Sequence, residues 1–249
     1  MMPTWIKNCA TLFCFGLLTS GSISNQASAA DIVAYPPGLK AQEGDVTRPP
    51  CKIKPQRAHR AKPANFKKEC PSHEARHVAD WVVDSRNNFS LPFVIVDKVD
   101  AKVFVFRPDG ELRGAARVLI GLTRGDDSAP GIGDRKLSSI SPEERTTPAG
   151  RFVASLGHNL QGSEILWVDY DTAISLHRVV TTNPRERRLQ RLASPTTVDK
   201  RITYGCINVP GKFFNNVVRP AFAGTNGVVY ILPETKSASE LFGSYDPDP

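Results

Sequence analysis

From residue 92 the chain alternates apolar and polar residues with a period of two, and this pattern constrains the fold more than any other feature. "PFVIVD" and "KVFVFR" read as strands, and "RPDGEL" places Asp109-Gly110 at a hairpin turn between the second strand and a third, "AARVLIG". Residues 122 to 149 form a long loop dense in Gly, Ser, Pro and charge, and loops of that length inside a compact domain are usually functional. Strand-like runs return at "RFVASL", "ILWVDY", "AISLHR" and "RITYGCINV". "GKFFNNVVRPAF" reads as a short helix and "GVVYILP" as a last strand. Short strands broken by turns, with few helices, predict a mainly-β fold, an antiparallel sandwich or barrel-like domain over 91–233.

The segments on either side differ in kind. Lys7, the apolar run "CATLFCFGLL" and "ASA" at 27–29 have the order of a secretory signal peptide, so residues 1–29 are expected to be removed after Ala29. The apolar run is too short to span a bilayer, and no stable membrane span is expected after cleavage. The protein is therefore expected outside the inner membrane, in a periplasm. Residues 30–71 are rich in proline and basic residues without apolar periodicity, and read as an extended arm. Residues 72–90 are a helical lead-in: Ser72 can cap a helix whose Ala75, Val78, Ala79 and Val82 share one face. Residues 234–249 form a C-terminal tail. The formal charge of +7 favours an anionic surface without identifying it; no nucleic-acid partner is expected.

Two motifs compete for the chemistry. His73-Glu74-Ala75-Arg76-His77 matches the H-E-x-x-H zinc pattern. On a helix, however, both histidines fall on the polar side with Arg76 and Asp80, opposite the apolar stripe, and no third ligand follows at zincin spacing. A solvated helix face accounts for it, and neither a metal nor an organic cofactor is expected. The second motif is a cysteine. Export leaves Cys51, Cys70 and Cys206, and two thiols in an oxidising compartment are expected to pair. A Cys51–Cys70 bridge would close a loop of about 20 residues and contribute roughly 3 kcal/mol. Cys206 is then the odd thiol: either a buried packing residue or a nucleophile. A nucleophile needs a base and oxyanion donors. Gly205 lets a substrate backbone approach, and the amides around it can serve as donors. Among the histidines, His177 is the best base candidate, because Ile174 and Leu176 alternate with Ser175 and His177 and turn the histidine away from the core.

With these residues assembled, the chain resembles the L,D-transpeptidases of the YkuD type, which remodel peptidoglycan. Their signature is a histidine, a spacer, then Ser/Thr-His-Gly-Cys, a hydrophobic residue and Asn. The matching residues are His177, Thr203, Gly205, Cys206, Ile207 and Asn208. "TPAGRF" at 147–152 resembles a further family element, and the hairpin "VIVDKVDAKVFVFRPDGELRGAARVLIG" its first strands. The resemblance covers residues 92 to 233. Tyr204 stands where the family has histidine, and the 178–202 spacer is longer than usual, adding the basic "NPRERRLQRLASP".

The resemblance implies a cysteine-dependent acyltransferase that cross-links peptide stems of peptidoglycan in cell-wall biogenesis and cell shape. Cys206 is then the nucleophile and His177 its general base and acid. The backbone amides of Tyr204, Gly205 and Cys206 would hold the oxyanion. Arg178, Asn208 and the arginines at 185–191 are candidate contacts for substrate carboxylates. Two other classes remain open at this stage: a non-catalytic wall-binding module, and a cysteine L,D-carboxypeptidase or other hydrolase of wall peptides.

Overall fold

The computed structural model describes residues 62–247. The expected leader, most of the expected arm and Cys51 lie outside the described residues. Ten strands run β1 (Phe93–Asp97), β2 (Lys102–Phe106), β3 (Leu112–Arg117), β4 (Ile120–Gly121), β5 (Gly150–His158), β6 (Glu164–Asp169), β7 (Ile174–Arg178), β8 (Arg201–Thr203), β9 (Ile207–Val209) and β10 (Gly227–Ile231) among these residues. Eight form one sheet in the order β3-β2-β1-β10-β5-β6-β7-β9, and β4 pairs with β8. Leu119, between β3 and β4, pairs with Asn208 of β9, so the chain leaving one edge strand meets the other edge and the sheet nearly closes. The mainly-β expectation holds, with a refinement: the sheet is mixed. β1–β10, β7–β9 and β4–β8 are parallel pairs. Parallel neighbours need a long crossover. Between β7 and β9 the long basic spacer supplies it and carries the helix α2 (Arg188–Ala193).

The two halves of the sheet are buried differently. In β1, β2 and β10 both pleat faces are apolar and covered. Val94, Val96, Val103, Val105, Val229 and Ile231 enter one core cluster, and Phe93, Ile95, Phe104, Phe106, Val228 and Tyr230 the other. The second cluster is roofed by α1 (His73–Ser85), whose predicted stripe of Ala75, Val78, Ala79 and Val82 is wholly buried. Ser72 caps it, its Oγ accepting from the Ala75 amide at 3.1 Å. The first cluster is covered by a continuous helical run: α3 (Gly211–Phe213), a π-helical stretch (Phe214–Val218) and α4 (Arg219–Phe222). Pro220 has no N–H to give the helix ladder, and the hydrogen-bond shift just before it accommodates that loss.

Both flanks are more integrated than their composition predicts. The last part of the arm packs down: Phe66 is buried, its ring edge-on to Phe104 and Phe106 at 5.2 and 5.0 Å. One buried aromatic outweighs the basic, proline-rich composition around it. In the C-terminal segment α5 (Ala238–Phe242) lays Phe242 against Trp81 and Tyr230. No helix of the described residues is long and apolar enough to cross a membrane.

Candidate active site

The single run "RITYGCINV" folds as two short strands, β8 and β9, with Tyr204, Gly205 and Cys206 at the turn between them. Gly205 has φ +132°, and a Cβ there would lie 2.7 Å from Ile174 Cδ1 and 2.8 Å from the Thr146 carbonyl. No side chain fits, which explains the glycine beside the thiol. Two threonines brace the turn. Thr203 Oγ1 donates to the Cys206 carbonyl at 2.7 Å and accepts from the Gly205 amide at 3.1 Å. Thr147 Oγ1 donates to the Gly205 carbonyl at 2.7 Å and accepts from the Gly121 amide at 2.8 Å. The Gly205 amide is thus spent inside the turn. This removes it from the expected oxyanion set and leaves the amides of Tyr204 and Cys206.

β7 delivers the remaining groups. In its parallel register with β9, His177 lies beside Asn208, so both side chains leave the same face, and Ser175 leaves that face two residues earlier. Cys206 Sγ lies 3.6 Å from Ser175 Oγ and 3.6 Å from the Ala173 carbonyl. Burial pushes the Cys206 thiol pKa up. The nearness of His177, and then of Ser175, outweighs this and holds it below the ordinary thiol value. His177 Nδ1 lies 2.7 Å from the Arg178 carbonyl, which can only accept, so Nδ1 carries a proton. Nε2 lies 3.1 Å from Asn208 Nδ2.

The structure therefore brings Cys206, His177 and Asn208 together and gives Arg178 a place through its main chain. Arg178's guanidinium is engaged elsewhere: it donates to the Glu164 carbonyl and carboxylate and to Asn215 Oδ1, and stacks over Phe214 at 4.2 Å. Asn208 is almost wholly buried and spends its amide on His177 and Arg188. Both side chains are thus already engaged within the protein, Asn208 from a buried position and Arg178 from a half-buried one. Tyr204 lies under the Arg145 guanidinium, 4.0 Å from its ring centre. Cys70 is exposed, and its expected partner Cys51 lies outside the described residues. The H-E-x-x-H histidines lie nearly parallel, ring centres 6.5 Å apart, with His73 exposed and His77 bonded to Ser244 Oγ at 2.9 Å and Asp246 at 2.7 Å.

Sequence reasoning missed the supports behind this site. Lys98 is buried at the end of "FVIVDK" and donates to Asp126 at 2.8 Å, to the Gly125 carbonyl at 2.6 Å and to the Thr147 carbonyl at 3.0 Å. Asp126 also accepts from Thr235 Oγ1 and from the amides of Glu234, Thr235 and Lys236. Burial alone would raise the Asp126 pKa; these donors hold it far below the carboxylate range. The 122–149 loop is thereby tied to β1 and the C-terminal segment, and Thr147 is held against Gly205. A lysine closing an otherwise apolar strand was the one available signal.

No protein-family model and no curated protein matches the chain. Solved structures similar to it include L,D-transpeptidase catalytic domains and a cell-shape protein, all at low identity. The helical cell shape determining protein Pgp2 from Campylobacter jejuni is 17% identical with a TM-score of 0.39, over 65% of this chain and 57% of that one. The L,D-transpeptidase from Xylanimonas cellulosilytica is 13% identical with a TM-score of 0.33, over 57% and 60%. The catalytic domain of the E. faecium L,D-transpeptidase is 16% identical with a TM-score of 0.32, over 57% and 98%. The chain thus spans 57% of the length of the Pgp2 chain. The chemical reading rests on the residues of this chain.

Proposed function

We propose that this protein is an exported cysteine acyltransferase that acts on peptidoglycan peptide stems in the periplasm, an L,D-transpeptidase. The observation that carries the reading is the half-buried Cys206 thiol, held on a braced Gly205 turn beside His177, with its pKa lowered. The motif resemblance in the sequence supplies the substrate class.

The chemistry proceeds in two halves. As sulfur attacks the stem carbonyl before the terminal D-alanine and forms a C–S bond, the Asn208 NH₂ yields its place at His177 Nε2, which takes the Cys206 proton. The amides of Tyr204 and Cys206 hold the oxyanion. The C–N bond then breaks, and the imidazolium returns its proton to the departing D-alanine amine, leaving a thioester. An amine of a second stem attacks the thioester and restores the thiol, producing a cross-link. Water in place of that amine makes the same site a carboxypeptidase. The residues themselves carry both proton transfers.

The test is incubation of the mature protein with disaccharide-tetrapeptide muropeptides, with separation of products by chromatography. D-alanine release with dimer is the expected result. D-alanine release without dimer assigns the hydrolytic reaction, and no release with an unmodified Cys206 assigns a wall-binding module.

A further inference from the structure

The basic spacer between β7 and β9 is held rigidly. Lys200, buried just before β8, donates to the carbonyls of Arg191, Leu192 and Ser194 and so clamps the end of α2. Arg117 adds bonds to the carbonyls of Ala193 and Ser194 at 2.9 and 2.8 Å. Arg191 ties the helix to the Glu186 and Asp199 carbonyls. On this fixed element Arg188 points inward. Its side chain is only 12% exposed, its Nε donates to Glu186, and its Nη1 donates to Asn208 Oδ1 at 2.7 Å.

That bond determines the rest of the chain of contacts. A guanidinium can only donate, so the oxygen of the Asn208 amide must face Arg188. The NH₂ group, which also can only donate, then faces His177 Nε2 at 3.1 Å. Nε2 must accept. Because Nδ1–H is already committed to the Arg178 carbonyl, the ring is held neutral with its lone pair at Nε2. A proton on Nε2 would meet the Asn208 NH₂. Turning the amide over would relieve that clash only by setting the NH₂ against Arg188. Both orientations oppose the imidazolium.

We propose that Arg188 is a positioning residue for this chemistry: through Asn208 it fixes His177 in the Nδ1–H tautomer, with the Nε2 lone pair as its acceptor. The inference rests on the acyl-transfer reading for its purpose, while the contacts themselves do not. The charged and titratable groups around His177 are Cys206 on the turn, Arg178 with its partner Glu164, and Arg188 with its partner Glu186. Releasing the relay should have opposite effects on the two proton transfers. The thiolate–imidazolium pair forms more readily, but the imidazolium gives its proton to the leaving amine less readily.

The experiment needs no substrate for its first arm. ¹⁵N-histidine NMR of the mature protein should show His177 neutral as Nδ1–H near neutral pH. Arg188→Met and Asn208→Leu should each let the Nε2–H tautomer appear beside Nδ1–H in that spectrum and move the pH profile of Cys206 alkylation to lower pH. Asn208→Leu keeps the Arg188 charge, so a change of tautomer there separates the relay from simple charge repulsion. In the second arm, Arg188→Met should slow D-alanine release by about tenfold while alkylation at low pH becomes faster; general damage would slow both. Finding His177 as Nε2–H or imidazolium in the unmodified protein, or an unshifted profile in Asn208→Leu, overturns the proposal even if a variant folds poorly. Absence of D-alanine release from the unmodified protein would instead strike the acyl-transfer reading and leave the NMR result standing.

Discussion

The β1–β2–β10 half of the sheet and the β7–β8–β9 half are held together by different physics. In the first, alternate residues of every strand enter one of two apolar clusters, and shape follows from burial alone. In the second, one face carries Ser175, His177 and Asn208, and order comes from paired polar groups: Thr203 and Thr147 on the turn, Asn208 on His177, Arg188 on Asn208. Buried polar groups cost heavily unless partnered, so such a site holds its geometry only if every member is satisfied. The apolar half tolerates similar side chains; the polar half specifies atoms.

Substitutions can separate the two. His177→Ala should slow acylation by about 10²–10⁴-fold and, by unpairing the buried Asn208 amide, cost only about 1–3 kcal/mol of stability. Phe104→Ala should do the reverse, losing about 3–5 kcal/mol of stability while the folded fraction keeps its alkylation rate; urea unfolding measured beside thiol alkylation distinguishes them. Lys98→Met breaks a buried ion pair and should cost about 3–5 kcal/mol. It should also slow acylation, because Lys98 holds the Thr147 segment, so it tests whether the halves are coupled. Thr147→Val strands the Gly205 carbonyl and should cost about 1–3 kcal/mol, with a loss of acylation on the order of tenfold read in the same assay. If Thr147→Val lowers stability without touching acylation, the brace is structural only.

The smallest effect concerns pH. Arg135, then the Ser141 amide, hold the Glu144 pKa down to about 2 from an ordinary 4.5. A depressed carboxylate contributes fully above its ordinary value and loses that contribution as pH falls toward the folded value. Protection of the Ser141 amide, which donates to Glu144 at 3.0 Å, should therefore persist at pH 5 and fade between about pH 4.5 and 2. Hydrogen exchange across that range, with the β10 amides as an internal standard, reads it.

What was legible in the sequence follows the same division. Periodicity revealed β1, β2, the Asp109-Gly110 turn and the α1 stripe, because burial writes itself into alternation. Cys206 and His177 were legible as chemistry-bearing residues in a recognisable order. The braces were not. Thr147 meets a carbonyl 58 residues away, Lys98 an aspartate 28 away and Arg188 an amide 20 away. Such bonds exist only after the sheet has closed, and nothing local marks them. The parallel pairs were hidden for a similar reason: strand direction depends on the crossovers, and the long basic spacer carried no mark of being the crossover that brings β9 beside β7. Phe66 and Lys98 were each one residue against a contrary local composition.

The central claim is that Cys206 forms the acyl bond with help from His177. Intact-mass spectrometry of the mature protein mixed with a disaccharide-tetrapeptide, quenched in acid within seconds and mapped by peptide digestion, tests it most directly. The account predicts an acyl adduct on Cys206, absent in Cys206→Ala and formed at least about 10²-fold more slowly in His177→Ala. An adduct on another residue, or one formed equally fast without His177, would contradict it.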